Sequence, residues 1–169
     1  MTAKQAEPNE RTEQIVIDGI RTRLRVTGSG PAVLMYSPGG FDASLENWHT
    51  FGNYRELRLI EKLSARYTCV TFDRRESGLS GGRVERIRWD DYVHQGLGVL
   101  DHLGLEEVFV MGGCVGCSSA AALAVAEPGR VLGMVLISPA GGGRISDEAA
   151  SALRSTPSLR LRARSQRRT

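Results

Sequence analysis

Little in this 169-residue chain suggests a secreted or membrane-bound setting. Its three cysteines, Cys69, Cys114 and Cys117, are too few and too oddly numbered for a disulfide framework. Free thiols in a reducing compartment are the simpler expectation. The opening residues MTAKQAEPNERTEQ hold no apolar signal-peptide core, and no stretch reaches the roughly 18 uninterrupted apolar residues of a membrane-spanning helix. A cytoplasmic protein without a membrane partner is therefore expected. No internal repeat is apparent.

What is present is ordinary for a globular protein: 41% hydrophobic and 24% charged residues, in a length that suits one domain. The formal net charge of +3 is misleading, because the last seventeen residues, LRSTPSLRLRARSQRRT, carry six arginines and no acid. Removing those six charges leaves the rest of the chain at −3. The basic balance thus belongs to a tail expected to be disordered, and no nucleic-acid partner is expected of the body. Residues 1–13 are likewise read as a disordered terminus, 14–145 as the folded domain and 146–169 as the Arg/Ser-rich tail.

Along the chain, Gln14 to Asp18 and Ile20 to Thr27 alternate apolar and polar residues around Asp18-Gly19, a two-residue hairpin signal. The run AVLMY (32–36) is continuously apolar, as in strands covered on both faces. A helical stretch from about Tyr54 to Arg66 leads to YTCVTFD (67–73), another buried run. The rhythm repeats with helix 89–104, strand EVFVM (107–111), a helix from Cys117 stopped by Pro128, and strand VLGMVLIS (131–138). The expected fold class is α/β, a mostly parallel sheet with helices on both faces and an antiparallel N-terminal hairpin.

Cys114 then falls at a corner, after a strand and before a helix. Gly112-Gly113-Cys114-Val115-Gly116 fits the pattern Gly-x-nucleophile-x-Gly, where small residues let strand and helix close around a strained turn. A thiol there would sit at a helix N-terminus, whose dipole favours the thiolate. The Val115 amide could donate to an oxyanion. Other readings of Cys114-x-x-Cys117 stay open: a thiol redox pair of the thioredoxin type, or part of a zinc site, which would need more ligands.

Two further stretches agree with the first reading. VLMYSPGGFDASLENW (33–48) resembles the strand and oxyanion loop of α/β-hydrolases, and YTCVTFDRRESGLSGG (67–82) resembles their next strand and D-x-R-G-x-G-x-S turn. The stretch from Trp89 to Gly142 resembles the helix, nucleophile strand, helix and sixth strand that follow. The resemblance covers about residues 14 to 145 and implies a partial α/β-hydrolase fold of strands 1–6. It implies Cys114 as nucleophile, with the amides of Val115 and of Gly40 or Phe41 as oxyanion donors. The implied activity is hydrolysis of an ester, lactone or related acyl bond of a small-molecule acyl substrate, with no cofactor and no metal. Cysteine at this position makes dienelactone hydrolases the nearest mechanistic analogy, whereas the motif spacing looks more like lactonase and peptidase-type members.

Departures from the pattern are equally informative. Pro38 stands where the family has histidine and Glu76 where it has glycine. The acid and histidine that complete the family's triad after later strands are not found. Past Pro139 the sequence is AGGGRISDEAASALRS and then the tail, a composition shift of the kind a truncated or frameshifted reading frame produces. The chain is accordingly expected to be impaired. His49 follows the oxyanion segment, His94 and His102 lie on the preceding helix, and all three read as surface or packing residues. Asp147 and Glu148 are weak substitutes for the triad acid. Asp73 is expected to order the turn that follows it, with Arg74 and Arg75 as its partners or solvated. Cys69 and Cys117 read as core thiols. A non-catalytic binding domain on the same scaffold is the remaining alternative.

Overall fold

The Asp18-Gly19 pair takes positive φ at both residues, 50° and 76°, the geometry that joins two strands in their natural right-handed twist. A computed structural model describes residues 9–81 and 88–140. The hairpin is formed by β1 (Glu10–Ile17) and β2 (Ile20–Gly28). β1 begins earlier than the sequence suggests, since Glu10 pairs with Thr27 and Glu13 with Leu24. Residues 10–13 therefore belong to the sheet, not to a disordered terminus. Ladder bonds along β2 satisfy their backbone although their side chains are polar. Residues 1–8, and the tail assigned to 146–169, lie outside the described residues.

The sheet continues with β3 (Ala32–Tyr36), β4 (Thr68–Phe72), β5 (Val108–Gly113) and β6 (Val131–Ile137), in the order β1-β2-β4-β3-β5-β6. β1, β2 and β4 pair antiparallel, and β4, β3, β5 and β6 pair parallel. Because successive side chains alternate faces, β3 splits its apolar run between two cores. Leu34 and Tyr36 join Val70, Phe72, Val108 and Val110 on one face. Val33 and Met35 join Cys69 and Met111 on the other.

Helices α4 (Trp89–His102) and α5 (Gly116–Ala126) cover the first face through Val99, Leu100, Ala120 and Leu123. The second is covered by three short helices, α1 (Asn47–Thr50), α2 (Gly52–Leu57) and α3 (Leu59–Leu63), through Trp48, Tyr54 and Ile60. The single helix expected over 54–66 is thus broken, at Arg58, whose φ of 48° and ψ of 49° are left-handed. The reason is packing. In an unbroken helix six residues turn the chain by about 240° past a full circle, so Tyr54 and Ile60 would point to different sides. The break turns both onto the same core.

β3 connects to β4 on one side, while β4 returns across it to β5 on the other, so the chain reverses direction around β3. In open α/β sheets, ligands bind outside the carboxyl ends of the strands at such a reversal. The loop after β3 and the turn after β5 meet there.

Candidate active site

Cys114 lies between the last residue of β5 and the first of α5, with φ of 51°. A non-glycine residue in this region carries strain of order 1 kcal/mol, and here it is held by close approach on every side. Its N–H donates to Ile137 O at 3.0 Å and its carbonyl accepts from Cys117 N–H at 3.2 Å. A Cβ on Gly112 would come within 2.6 Å of the Cys117 Cα, and one on Gly116 would collide with the Tyr36 carbonyl. The glycines at both ends of the turn are therefore demanded by backbone contact. Cys114 itself is partly exposed, while Cys117 and Cys69 are buried.

Ile137 O is the fixed point of this turn. Besides the Cys114 amide it accepts the Tyr54 hydroxyl at 2.8 Å and the Cys117 thiol at 3.4 Å. The Cys117 thiol also reaches Gly112 O at 3.2 Å, and burial pushes its pKa up. Burial likewise raises that of Tyr54 and holds the Cys69 thiol up at about 11. Cys117 and Cys69 thus occupy core positions, as their sequence contexts suggest.

Val115 heads α5 with helical angles, and among the described residues no backbone acceptor takes its N–H. Gly40 and Phe41 lie in the loop after β3, whose start adjoins the turn, since a Cβ on Gly116 would meet the carbonyls of Tyr36 and Ser37. The loop is held through its carbonyls: Arg74 Nη2 donates to Gly40 O at 2.6 Å, and Asn47 Nδ2 donates to Pro38 O at 2.8 Å and Asp42 O at 2.6 Å. The Phe41 side chain is fully exposed. Arg74 and Asn47 thus restrain the loop's carbonyls, and the Gly40 and Phe41 amides have no backbone acceptor among the described residues.

Asp73 orders the turn after β4, but with partners the sequence did not indicate. Its carboxylate is wholly buried and accepts Arg23 Nε at 2.8 Å, Arg23 Nη2 at 3.0 Å, Leu45 N–H at 2.8 Å and Leu79 N–H at 2.7 Å. The Asp73 hydrogen bonds raise the Arg23 pKa. Arg74 and Arg75 are not its partners. Arg75 turns to Asp91 at 3.6 Å and gives its N–H to Gln95 Oε1. The Arg74 guanidinium lies 5.3 Å from the Tyr92 ring centre and 3.3 Å from Glu76 Oε1. Glu76, in a left-handed conformation with φ of 62°, also accepts the Tyr92 hydroxyl at 3.1 Å. Burial, together with Glu76, raises the Tyr92 pKa to about 12.

Beside the turn a cavity of about 350 Å³ opens, lined by Arg74, Arg88, Trp89, Tyr92, Val115 and Ser119. No sequence motif marked Tyr54, Tyr92 or Ser119, because their roles depend on contacts across the fold. The histidines are elsewhere engaged or exposed: His102 Nε2 pairs with Glu13 on β1 at 2.9 Å, His49 lies 3.9 Å from Glu61, and His94 is exposed on α4. Asp147 and Glu148 lie outside the described residues. Among the described helices none is long and apolar enough to cross a membrane.

Comparison with known proteins agrees with this architecture. The family described as alpha/beta hydrolase fold matches residues 32–162. The dihydrolipoyllysine-residue acetyltransferase component of the acetoin cleaving system of Cupriavidus necator is 32% identical over 127 residues, 75% of this chain and 32% of that protein. A 2-hydroxymuconate semialdehyde hydrolase of Pseudomonas putida is 30% identical over 142 residues, 83% of this chain and 47% of the relative. The crystal structure of a membrane phospholipase A superposes with a TM-score of 0.67 at 24% identity, over 78% of this chain and 40% of that one, a likeness of fold. The chain spans between about a third and a half of the length of the curated relatives it matches. With its six-stranded mixed sheet and its strand-turn-helix corner at Cys114, the chain belongs to the α/β-hydrolase fold family.

Proposed function

We propose that this chain carries the nucleophile side of a hydrolase acting on an ester, lactone or related acyl bond of a small molecule, with Cys114 as the attacking group. One observation supports the reading above all: a partly exposed cysteine with φ of 51° at the corner between β5 and α5. The family to which the chain belongs, and relatives named as hydrolases, favour the same chemistry. Cys114 Sγ bonds to the acyl carbon as the alcohol departs with the thiol proton, leaving a thioester. In this reading the Val115 amide and that of Gly40 or Phe41 donate to the oxyanion.

Release of the acyl group needs a base to activate water. None of the three histidines is near enough to Cys114 to appear among its partners, so acylation without turnover is expected of this chain. Incubation with p-nitrophenyl acetate should release about one equivalent of nitrophenol and leave one acetyl group, mapped by peptide mass spectrometry to Cys114. Buried Cys69 and Cys117 should remain unlabelled. Steady turnover would overturn the impaired state, and absence of label on Cys114 would overturn its role.

A redox pair is the weaker reading, because the Cys117 thiol is committed to two carbonyls beneath the turn. Insulin reduction by the chain would favour it nonetheless. Retained ligand binding with no labelling at all would instead favour a binding domain on this scaffold.

A further inference from the structure

The cavity beside the Cys114 turn has an unbalanced charge. Two of its six lining residues are arginines and none is an acid. Arg74 is largely spoken for: Glu76 Oε1 lies 3.3 Å from its Nε, Gly40 O takes its Nη2, and Tyr92 stacks against it. Arg88 is different. Among the described residues its guanidinium has no carboxylate partner, and Asp91, three residues on, spends one oxygen on the Arg88 backbone N–H at 2.9 Å and faces Arg75 at 3.6 Å with the other. Asp90 is exposed in the first turn of α4 and does not line the cavity.

The walls complement this charge. Trp89, more than half exposed, meets Tyr92 edge-on at 6.1 Å and presents an apolar surface. Val115 and Ser119, on the first turn of α5, form the end beside Cys114. Arg88 and Trp89 lie at the start of α4. A volume near 350 Å³ is at the small end of ligand pockets, which run from about 300 to 1,000 Å³. Resting on the acyl-transfer reading of Cys114, we propose that this cavity takes the acyl part of the substrate and that Arg88 recognises a carboxylate at its far end. The substrate class is then an ester or lactone of a short acid that bears a second, ionised carboxyl group. The methylenes lie against Trp89 and Tyr92, and the guanidinium holds the carboxylate by charge-assisted hydrogen bonds.

Two esters of equal chain length test this, mono-p-nitrophenyl glutarate and p-nitrophenyl valerate, through their rates of Cys114 acylation. The glutarate should be preferred about tenfold at low salt, a ratio that shrinks as salt screens the charge. Arg88→Gln should bring the ratio near one, and Arg88→Lys should restore much of it. A preference absent in the native chain, or untouched by Arg88→Gln, overturns the proposal. A second measurement separates it from the chemistry. In Cys114→Ser protein, glutaryl-p-nitroanilide should quench Trp89 fluorescence, with the affinity falling about tenfold on Arg88→Gln and the signal lost on Trp89→Phe. Arg88-dependent binding without any Cys114 labelling sinks the nucleophile and keeps the carboxylate subsite. Labelling with no Arg88 dependence in either measurement does the reverse.

Discussion

The two flanks of the Cys114 turn are built on different physics. On the β2–β4 side, one buried carboxylate, Asp73, gathers four donors from Arg23, Leu45 and Leu79. Gln95 extends the network, donating to Thr22 Oγ1 at 3.0 Å and to Asp73 O at 3.1 Å. On the other side, β6 is the edge of the sheet among the described residues, and Leu132 and Val135 are 44% and 50% exposed. That flank holds the turn through one carbonyl, Ile137 O, with the polar groups gathered on it, and through a long bond from Ala140 N–H to Cys114 O at 3.4 Å. Directional bonds around a buried charge fix the first flank, whereas the second depends on one strand staying in register. The turn should accordingly be far more sensitive to changes on the β2–β4 side.

The largest effect is expected from Asp73→Ala, which strands the Arg23 guanidinium and two backbone donors in the interior. A loss of about 3–5 kcal/mol follows, measured as a lowered midpoint in urea unfolding; an effect under 1 kcal/mol would erase the contrast between flanks. Gly112→Ala comes next. Its Cβ would press on the Cys117 Cα, and overpacking of this kind costs about 1–3 kcal/mol, checked by thermal unfolding and by slower labelling of Cys114. Tyr54→Phe removes one donor from Ile137 O and should cost about 1 kcal/mol. A larger loss would mean that the β6 flank is held more firmly than its exposure suggests. Val135→Thr, on a half-exposed position, should fall within about 0.5 kcal/mol, read from the same urea curves.

How much of this was legible beforehand depends on the range of the interaction. The hairpin at Asp18-Gly19, the apolar strands and the end of α5 before Pro128 are written in local pattern, and they appear where the pattern puts them. The corner at Cys114 was legible for the same reason, as glycines at fixed offsets mark where backbone must approach backbone. The break at Arg58 was not, because a helical pattern carries no record of the distant core that Tyr54 and Ile60 must both enter. Nor were the partners of Asp73. Its neighbours Arg74 and Arg75 are close in sequence, yet the antiparallel pairing of β2 with β4 brings Arg23 to it instead.

By itself, then, the sequence determined the alternation of strands and helices and the site of the sharp turn, because both depend on the conformational limits of a few adjacent residues. Which arginine meets which acid, which carbonyl anchors the cysteine, and that two arginines and two aromatic rings share one cavity were decided only by the tertiary structure. Those contacts join residues from separate strands and helices, and their geometry exists only once the sheet has brought the segments together.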